Sequence, residues 1–330
     1  MSFLSKFQPL FIILSALTGI VIGKVIPVLE RYAGNCIEIF LIAMLFFVFL
    51  NVELKNISKS FSDLRFSLSA LTINFVITPL FAFALSKLFL AGQIDLQTGF
   101  IMLMVTPCTD WYLVFTGIAN GNVPLGASIL PLNLILQIIL LPLYLLLFTG
   151  SEVSFALVTV VYSILFVLII PLAAANGVQF AAKRINRQNN LAKLLKKSDD
   201  IQFLLLCLAI ISMFASEGTL LLDNTLIFIK LLPPLLLFFS AIFCLSFLAG
   251  KMLKLHFSGI IPLIFTTSAR NSPVSLAIAA ITFPSRPLIS LVLVMGPLIE
   301  LPVLALNALI LKRIESQRLR PGYRKNPRLS

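Results

Sequence analysis

Residues 104–115 read MVTPCTDWYLVF, and residues 265–279 read FTTSARNSPVSLAIA. Each stretch lies within a long apolar segment and contains one proline, Pro107 in the first and Pro273 in the second. Proline removes a backbone donor and interrupts a regular helix. Inside a membrane, backbone groups freed in this way are tolerated only where they line a cavity or are bound within the protein. The two stretches therefore predict a pair of broken membrane helices that form a binding site.

The composition around these stretches is that of an integral membrane protein. Of the 330 residues, 59% are hydrophobic and 12% are charged, and the mean hydropathy is +1.05. A soluble domain carries roughly 25% charged residues. Apolar runs of about 20 residues, long enough to cross a bilayer, recur along the chain. The sequence predicts an all-α membrane protein with the lipid bilayer as a partner.

Polar breaks divide the chain into about ten predicted transmembrane helices. With the N-terminus inside, 19 of the 25 basic residues fall in regions on the inner side, as the positive-inside rule requires. We therefore expect a multi-pass protein of the cell (inner) membrane with both termini cytoplasmic. The predicted spans cover approximately residues 7–29, 36–54, 65–91, 96–119, 122–149, 153–181, 200–216, 222–250, 256–284 and 286–311.

The spans form two halves of five, and each half has a broken helix in fourth place. Because five is odd, a duplicated half lies inverted in the membrane, which is a common design of secondary transporters. The prediction is two inverted five-helix repeats in which the broken helices 4 and 9 cross. The single transporter domain, residues 1–330, would comprise repeat one over about 7–149, repeat two over about 153–181 plus 200–311, a cytoplasmic basic loop over about 182–199 and a basic tail over 312–330.

Charge and cysteine usage exclude several other functions. The formal net charge of +12 is explained by topology signals, so no nucleic-acid partner is expected. The chain has one histidine, His256, and four cysteines without a CxxC pair, so neither a resident metal nor another cofactor is indicated. No GxSxG or HExxH motif supports an enzyme.

Three ionisable residues, Asp110, Arg270 and Glu300, lie at predicted membrane depth, and such residues are functional candidates by default. Asp110 and Arg270 flank the two breaks and could form an ion pair. That pair could be purely structural, or its charge could change as ions or protons bind. Glu300 lies between Pro297 and Pro302 and could carry a proton or satisfy backbone donors freed by the prolines. Glu300 and Asp110 are the candidates for proton coupling.

Cys108 follows Pro107 at the first break. Its thiolate could bind a soft, thiophilic solute, although a buried cysteine is more often a small hydrophobic residue. Any metalloid contact at Cys108 would be with the transported solute. Other polar residues of the two stretches and of span 5 could add hydrogen bonds, among them Thr106, Asn133, Gln137, Thr266 and Ser275. The predicted substrate-binding set is Cys108, Thr109, Asp110, Arg270, Asn271 and Ser272.

Four motifs carry a family resemblance: TPCT at Thr106–Thr109, GIANGNVPL at 117–125, SLAIA at Ser275–Ala279 and GPLIELPV at Gly296–Val303. With them the chain resembles the bile acid/sodium symporter superfamily, and most closely its arsenical-resistance branch, the arsenite efflux permeases. The resemblance implies ten spans with two crossing broken helices. It also implies that Cys108 handles trivalent arsenic and that Glu300 is the acidic residue of the last span.

The sequence departs from that resemblance in the two broken stretches. Arsenite permeases usually carry Asn-Asn-Phe-Glu where this chain has Ser272–Ser275, and they usually have a small residue in place of Asp110. The sodium-coupled branch has a glutamate and a glutamine at the positions of Thr266 and Arg270. A fixed positive charge beside a sodium site would repel sodium. Proton coupling is therefore favoured over sodium coupling.

Two transport functions remain open. The first is efflux of arsenite, with antimonite as a second solute, in exchange for protons. The alternative is sodium- or proton-coupled uptake of a small organic anion, with Arg270 as the clamp for a carboxylate or sulfonate. A third class, a membrane sensor or intramembrane enzyme, is disfavoured because no soluble domain and no catalytic motif is apparent.

Overall fold

A computed structural model describes residues 8–26, 63–109, 111–149, 169–184, 188–223 and 225–318, together with single and short helical positions between 33 and 50. Over these residues the secondary structure is helical, apart from turns and one isolated β-bridge. The protein is an all-α, multi-span membrane protein, which confirms the predicted fold class. Parts of the predicted spans 36–54 and 153–181 lie outside the described residues, so the count of ten spans and the inverted repeat remain predictions.

The described residues include eleven helices of eight or more residues. In chain order they are α1 Gln8–Val25, α2 Leu64–Phe89, α3 Ile94–Met104, α4 Trp111–Ile118, α5 Val123–Thr149, α6 Ile170–Arg184, α7 Gln188–Asp223, α8 Thr225–Met252, α9 Phe257–Ser268, α10 Ser272–Thr282 and α11 Pro287–Arg318.

Within the described part of the chain, four helices are long and apolar enough to cross a membrane. They are α2, α5, α8 and α11. The apolar helices α3 and α9 have 11 and 12 residues. At about 1.5 Å per residue, each helix is long enough to cross only about half of a bilayer core, which is about 30 Å thick. A helix of this length that starts at one membrane surface ends near the middle of the bilayer, which is where we expect the two breaks to lie.

Side chains are distributed as expected for a protein in lipid. Large apolar residues on the long helices face outward, such as Leu80, Leu147 and Ile229, each more than half exposed. Polar and charged residues lie inside, where Arg270 and Glu300 are 2% and 3% exposed. Since lipid offers no hydrogen bonds, polar groups at membrane depth must find partners within the protein.

Helices occupy part of the region that the sequence predicts as a basic connection between the two halves. We predicted a basic loop over residues 182–199, but α6 continues to Arg184 and α7 already begins at Gln188. Leucine, alanine and lysine dominate residues 191–197, and all three favour helix. The charged residues do not mark the end of a helix, because a polar helix continues into the predicted span at 200–216.

Among the prolines inside the described helices, Pro79, Pro262 and Pro297 each leave a main-chain carbonyl without its usual donor four residues on, and another donor replaces it. The carbonyl freed by Pro79 belongs to Phe75, in the π-helical turn Ile73–Ile77 of α2. It accepts the hydroxyl of Tyr144 at 2.6 Å.

The other two freed carbonyls lie near the breaks. Pro262 frees the carbonyl of Ser258, which accepts from the backbone N–H of Asn122 at 2.7 Å. Pro297 frees the carbonyl of Leu293, which accepts from the hydroxyl of Ser272. The carbonyls freed by Pro79, Pro262 and Pro297 thus each accept from another helix or turn.

Helices α3 and α11 approach closely through glycines, as membrane helices commonly do. A Cβ on Gly99 of α3 would meet the carbonyl oxygen of Ile289 and the Cβ of Val292, each at 2.8 Å. A Cβ on Gly296 of α11 would meet Leu103 of α3 at 2.5 Å. These contacts hold the end of α3 against the part of α11 that carries Glu300.

Candidate binding site at the crossing of two broken helices

The two breaks pair with each other across the crossing. Pro107 and Arg270 face each other as an antiparallel bridge. The backbone N–H of Cys108 donates to the carbonyl of Ala269 at 3.0 Å, and the N–H of Asn271 donates to the carbonyl of Thr106 at 2.7 Å. Backbone groups left free by the interruptions thus satisfy each other. The predicted breaks are confirmed, and their backbones are in direct contact.

The second break has local causes that can be read from the sequence. Helix α9 ends at Ser268, and α10 restarts at Ser272 with a proline in its first turn, which suits that position because its missing N–H has no helical partner there. Asn271 is the N-cap, and its side-chain oxygen accepts from the N–H of Val274 at 3.3 Å. In the first break, α3 ends at Met104 and α4 begins at Trp111.

The guanidinium of Arg270 lies between the C-terminal ends of two half-helices. Its Nη1 donates to the carbonyl of Met104, the last residue of α3, at 2.7 Å. Its Nε donates to the carbonyl of Ser268, the last residue of α9, at 3.1 Å. Its Nη2 lies 3.5 Å from Oδ1 of Asn74, and its central carbon lies 5.1 Å from the ring centre of Phe238. Helix C-termini carry partial negative charge, so this position is favourable for a cation.

Glu300 of α11 contacts the same residue from another direction. Its Oε1 accepts from the backbone N–H of Arg270 at 2.8 Å, and its charge attracts the guanidinium. One of the two roles expected for Glu300 is to satisfy backbone donors freed by Pro297 and Pro302. Proline frees carbonyls of its own helix, which a carboxylate cannot bind. The donor that Glu300 does accept comes from the break between α9 and α10.

Five of the predicted site residues line one small pocket: Cys108, Arg270, Asn271, Ser272 and Glu300. Its remaining lining residues are Trp111, Leu206, Pro297 and Leu301. The cavity volume is about 20 Å³, room for about one water molecule. A solute larger than water therefore requires the crossing to widen when it binds.

The other predicted residues are placed as follows. Thr109 is outside the pocket lining, and its hydroxyl accepts from Nδ2 of Asn271 at 3.4 Å. Asp110 lies outside the described residues, so its pairing with Arg270 and its role in proton coupling stay predictions. Ser275, which replaces the glutamate of the arsenite permeases, donates to the carbonyl of Met102 at 3.1 Å and bonds the hydroxyl of Thr106 at 2.7 Å.

Asn74 is the main residue that sequence reasoning missed. Its Nδ2 donates to the carbonyl of Thr266 at 3.2 Å and reaches Oδ1 of Asn133 at 3.5 Å. Asn133 in turn donates to the hydroxyl of Thr266 at 2.9 Å. A buried asparagine five residues before Pro79 in an apolar run was the available signal. Trp111 was also missed as part of the pocket wall.

The site combines two chemically different regions. The pocket lies beside the N-terminal ends of α4 and α10, whose partial positive charge suits electron-rich groups, whereas the guanidinium lies at the C-terminal ends of α3 and α9. Broken helices that meet at mid-membrane around a polar pocket are the architecture of a membrane transporter for a small solute and a coupling ion.

Comparison with known proteins agrees with this class. The profile of the sodium bile acid symporter family matches residues 38–224, more than half of the chain. The chain belongs to the sodium bile acid symporter family.

Three relatives are each 26% identical to the chain. The arsenical-resistance protein Acr3 of Corynebacterium glutamicum aligns over 92% of this chain and 87% of its own length. An uncharacterised transporter of Synechocystis aligns over 93% and 88%, respectively. The uncharacterised protein YbaS of Bacillus subtilis aligns over 79% and 85%.

Proposed function

We propose that this protein is a secondary active transporter that exports arsenite, with antimonite as a second solute, from the cytoplasm in exchange for protons. The observation that carries the proposal is that the Cys108 thiol and the Glu300 carboxylate line the same buried pocket. The likeness to a protein named for arsenical resistance supports the choice of solute.

Cys108 is the group that recognises the solute. Trivalent arsenic is soft and prefers sulfur ligands. At neutral pH arsenite is an uncharged trihydroxide, so it can approach the pocket without a counter-ion. Exchange of one arsenic hydroxyl for the sulfur of Cys108 releases water, formed from that hydroxyl and the thiol proton. Asn271 and Ser272, on the pocket wall, are placed to hydrogen-bond the remaining hydroxyls.

Glu300 is the group that binds the proton. Protonation removes its negative charge and weakens its bond to the backbone N–H of Arg270, which lies at the break itself. Glu300 and Cys108 line the same pocket, which has room for about one water molecule. The solute binds while Glu300 is charged and leaves when Glu300 is protonated, because exchange of a solute for a proton requires the two to bind in alternation.

Uptake of an organic anion has less support. As a clamp, Arg270 would present the fork of its guanidinium to the anion. All three guanidinium nitrogens instead have acceptors within the protein, at Met104, Ser268 and Asn74. An anion would have to displace these contacts. Loss of anion uptake in an Arg270→Gln variant that still exports arsenite would nevertheless favour the clamp.

The proposal is tested by arsenite resistance and cellular arsenic content in a bacterial strain that lacks its own exporter. We expect the wild-type protein to lower cellular arsenic and Cys108→Ala to abolish this effect at equal membrane expression. The matched control is Cys244→Ala, since Cys244 is an exposed cysteine on α8 and should be dispensable. Full protection by Cys108→Ala, or none by the wild type, would refute the proposal.

A further inference from the structure

We propose that the guanidinium of Arg270 is a tethered cation that fills a monovalent-cation site built into the crossing. On this view the protein needs no dissociable sodium or potassium ion at this position, because its own side chain supplies the charge. The inference goes beyond the proposed function, and it holds whichever solute the protein transports.

The site is defined by three oxygen atoms from three helices. Two are the C-terminal carbonyls of α3 and α9, at Met104 and Ser268, and the third is Oδ1 of Asn74 in the π-helical turn of α2. Main-chain carbonyls at half-helix C-termini are the groups that coordinate monovalent cations in transporters with broken helices. In this protein the two carbonyls accept hydrogen bonds from the side chain of Arg270 instead.

The orientation of Asn74 supports this assignment. Its amide nitrogen has two acceptors on the far side, the carbonyl of Thr266 and Oδ1 of Asn133. Its amide oxygen must therefore point at Arg270. In the reverse orientation the amide nitrogen would face the guanidinium, which is also a donor, and the amide oxygen would face two other acceptor oxygens. The hydrogen-bond network thus fixes an oxygen ligand toward the cation.

The remaining surroundings also favour a positive charge. The face of the Phe238 ring, which carries negative charge density, lies 5.1 Å from the guanidinium carbon. The carboxylate of Glu300 lies on the opposite side of the break and binds the backbone N–H of residue 270, which any substitution other than proline retains. Truncation of Arg270 would therefore leave a carboxylate and three oxygens without a cation in a low-dielectric interior, a costly arrangement.

The test measures the melting temperature of the purified full-length protein in choline, sodium, potassium and guanidinium chloride at equal millimolar concentration, far below that at which guanidinium unfolds proteins. We expect the wild-type melting temperature to be the same in all four salts. Arg270→Ala should melt lower than the wild type in choline. Sodium or guanidinium should raise its melting temperature, by about 2–4 °C at roughly ten times the dissociation constant of the cation.

Two further variants separate a filled cation site from a general salt effect. Arg286→Ala removes an arginine that pairs with Asp95 at 2.7 Å in a partly exposed position, and it should show no response to sodium or guanidinium. Arg270→Lys keeps a tethered positive charge, and its melting temperature should not depend on the salt. The inference is overturned if folded Arg270→Ala melts equally in all salts, or if either further variant responds as Arg270→Ala does.

A second readout covers the case in which Arg270→Ala folds only in some salts. Recovery of folded protein in sodium or guanidinium but not in choline would support the inference. If no salt rescues folding, Arg270→Lys decides: a folded lysine variant shows that a tethered charge suffices, whereas an unfolded one shows that the crossing needs the arginine fork itself and contradicts the inference. None of these measurements uses arsenic, so they can fail independently of the proposed transport function.

Discussion

The backbone N–H of Arg270 donates to Oε1 of Glu300 over 2.8 Å, which ties the acidic residue of α11 to the break between α9 and α10. A change of charge on this carboxylate therefore acts directly on the segment where the two broken helices pair. Because Arg270 also bridges the ends of α3 and α9, its contacts connect the carboxylate to both of these half-helices.

The first prediction concerns the charge of Glu300. Glu300→Gln keeps a side-chain oxygen that can accept from Arg270 but cannot ionise, so the protein should insert and fold. Proton-driven arsenite transport should fall more than about tenfold, as expected for an intramembrane carboxylate with a functional role. The measurement is arsenite uptake into inverted membrane vesicles with an imposed pH gradient.

The matched control for this prediction is Glu315→Gln. Glu315 lies on the same helix, α11, but at a partly exposed position where it accepts from Asn120 at 2.9 Å. Its neutralisation should leave transport unchanged. Wild-type rates and pH dependence in Glu300→Gln would show that Glu300 is a structural acceptor and nothing more.

A second prediction follows from the carbonyl that Pro297 frees. Ser272→Ala removes the donor to the carbonyl of Leu293 and leaves a buried acceptor unpaired, which should lower the free energy of unfolding by about 1–3 kcal/mol. In a Pro297→Ala background the helix supplies its own donor to that carbonyl, so Ser272→Ala should be less harmful there. Thermal unfolding of the four proteins of this double-mutant cycle measures the coupling. Equal losses of unfolding free energy with proline and with alanine at position 297 would show that Ser272 does not compensate for Pro297.

The sequence was sufficient to locate the breaks but not their partners. Proline at 107 and 273 favours an interruption, and the polar residues beside these two prolines distinguish them from prolines that continuous helices accommodate, such as Pro262 and Pro297. The acceptors of Arg270 are mainly main-chain carbonyls, which every residue possesses and no sequence pattern distinguishes. Sequence reasoning could therefore identify the arginine as functional while considering only Asp110 as its partner.

Partners that come from distant helices were equally beyond sequence reasoning. Asn74 reaches Thr266 and Arg270 only because α2 packs beside the second break. The contact between Glu300 and Arg270 depends on the close approach of α11 to the other helices. The helical residues within 188–199 were mistaken for loop because charge density, which locates membrane boundaries, does not by itself indicate where a helix ends.

The third prediction tests the close approach of α3 and α11. Gly99→Ala places a Cβ 2.8 Å from the carbonyl oxygen of Ile289, so the helices must separate, at a cost of about 1–3 kcal/mol. Separation would also move the end of α3 away from Arg270. The control is Gly177→Ala in α6, where a Cβ meets nothing within 4 Å and alanine should raise helix stability by up to about 1 kcal/mol. Equal melting temperatures of the two variants in detergent would show that the close approach of α3 and α11 at Gly99 does not contribute to stability.

The last prediction tests whether the hydrogen bonds of Asn74 stabilise the protein. Asn74→Leu keeps approximately the same side-chain size but removes the hydrogen-bond partner of the Thr266 carbonyl, of Asn133 and of Arg270. The free energy of unfolding, measured by thermal unfolding, should therefore fall by about 1–3 kcal/mol. Asn307→Leu makes the same change at a position 7% exposed, where the amide nitrogen of Asn307 has no hydrogen-bond partner within the described structure. Removing an amide whose donor is unpaired relieves a desolvation penalty, so Asn307→Leu should be neutral or stabilising. A loss of stability of the same size in both variants would mean that leucine packs poorly at buried asparagine positions in this protein, and that the hydrogen bonds of Asn74 do not decide the outcome.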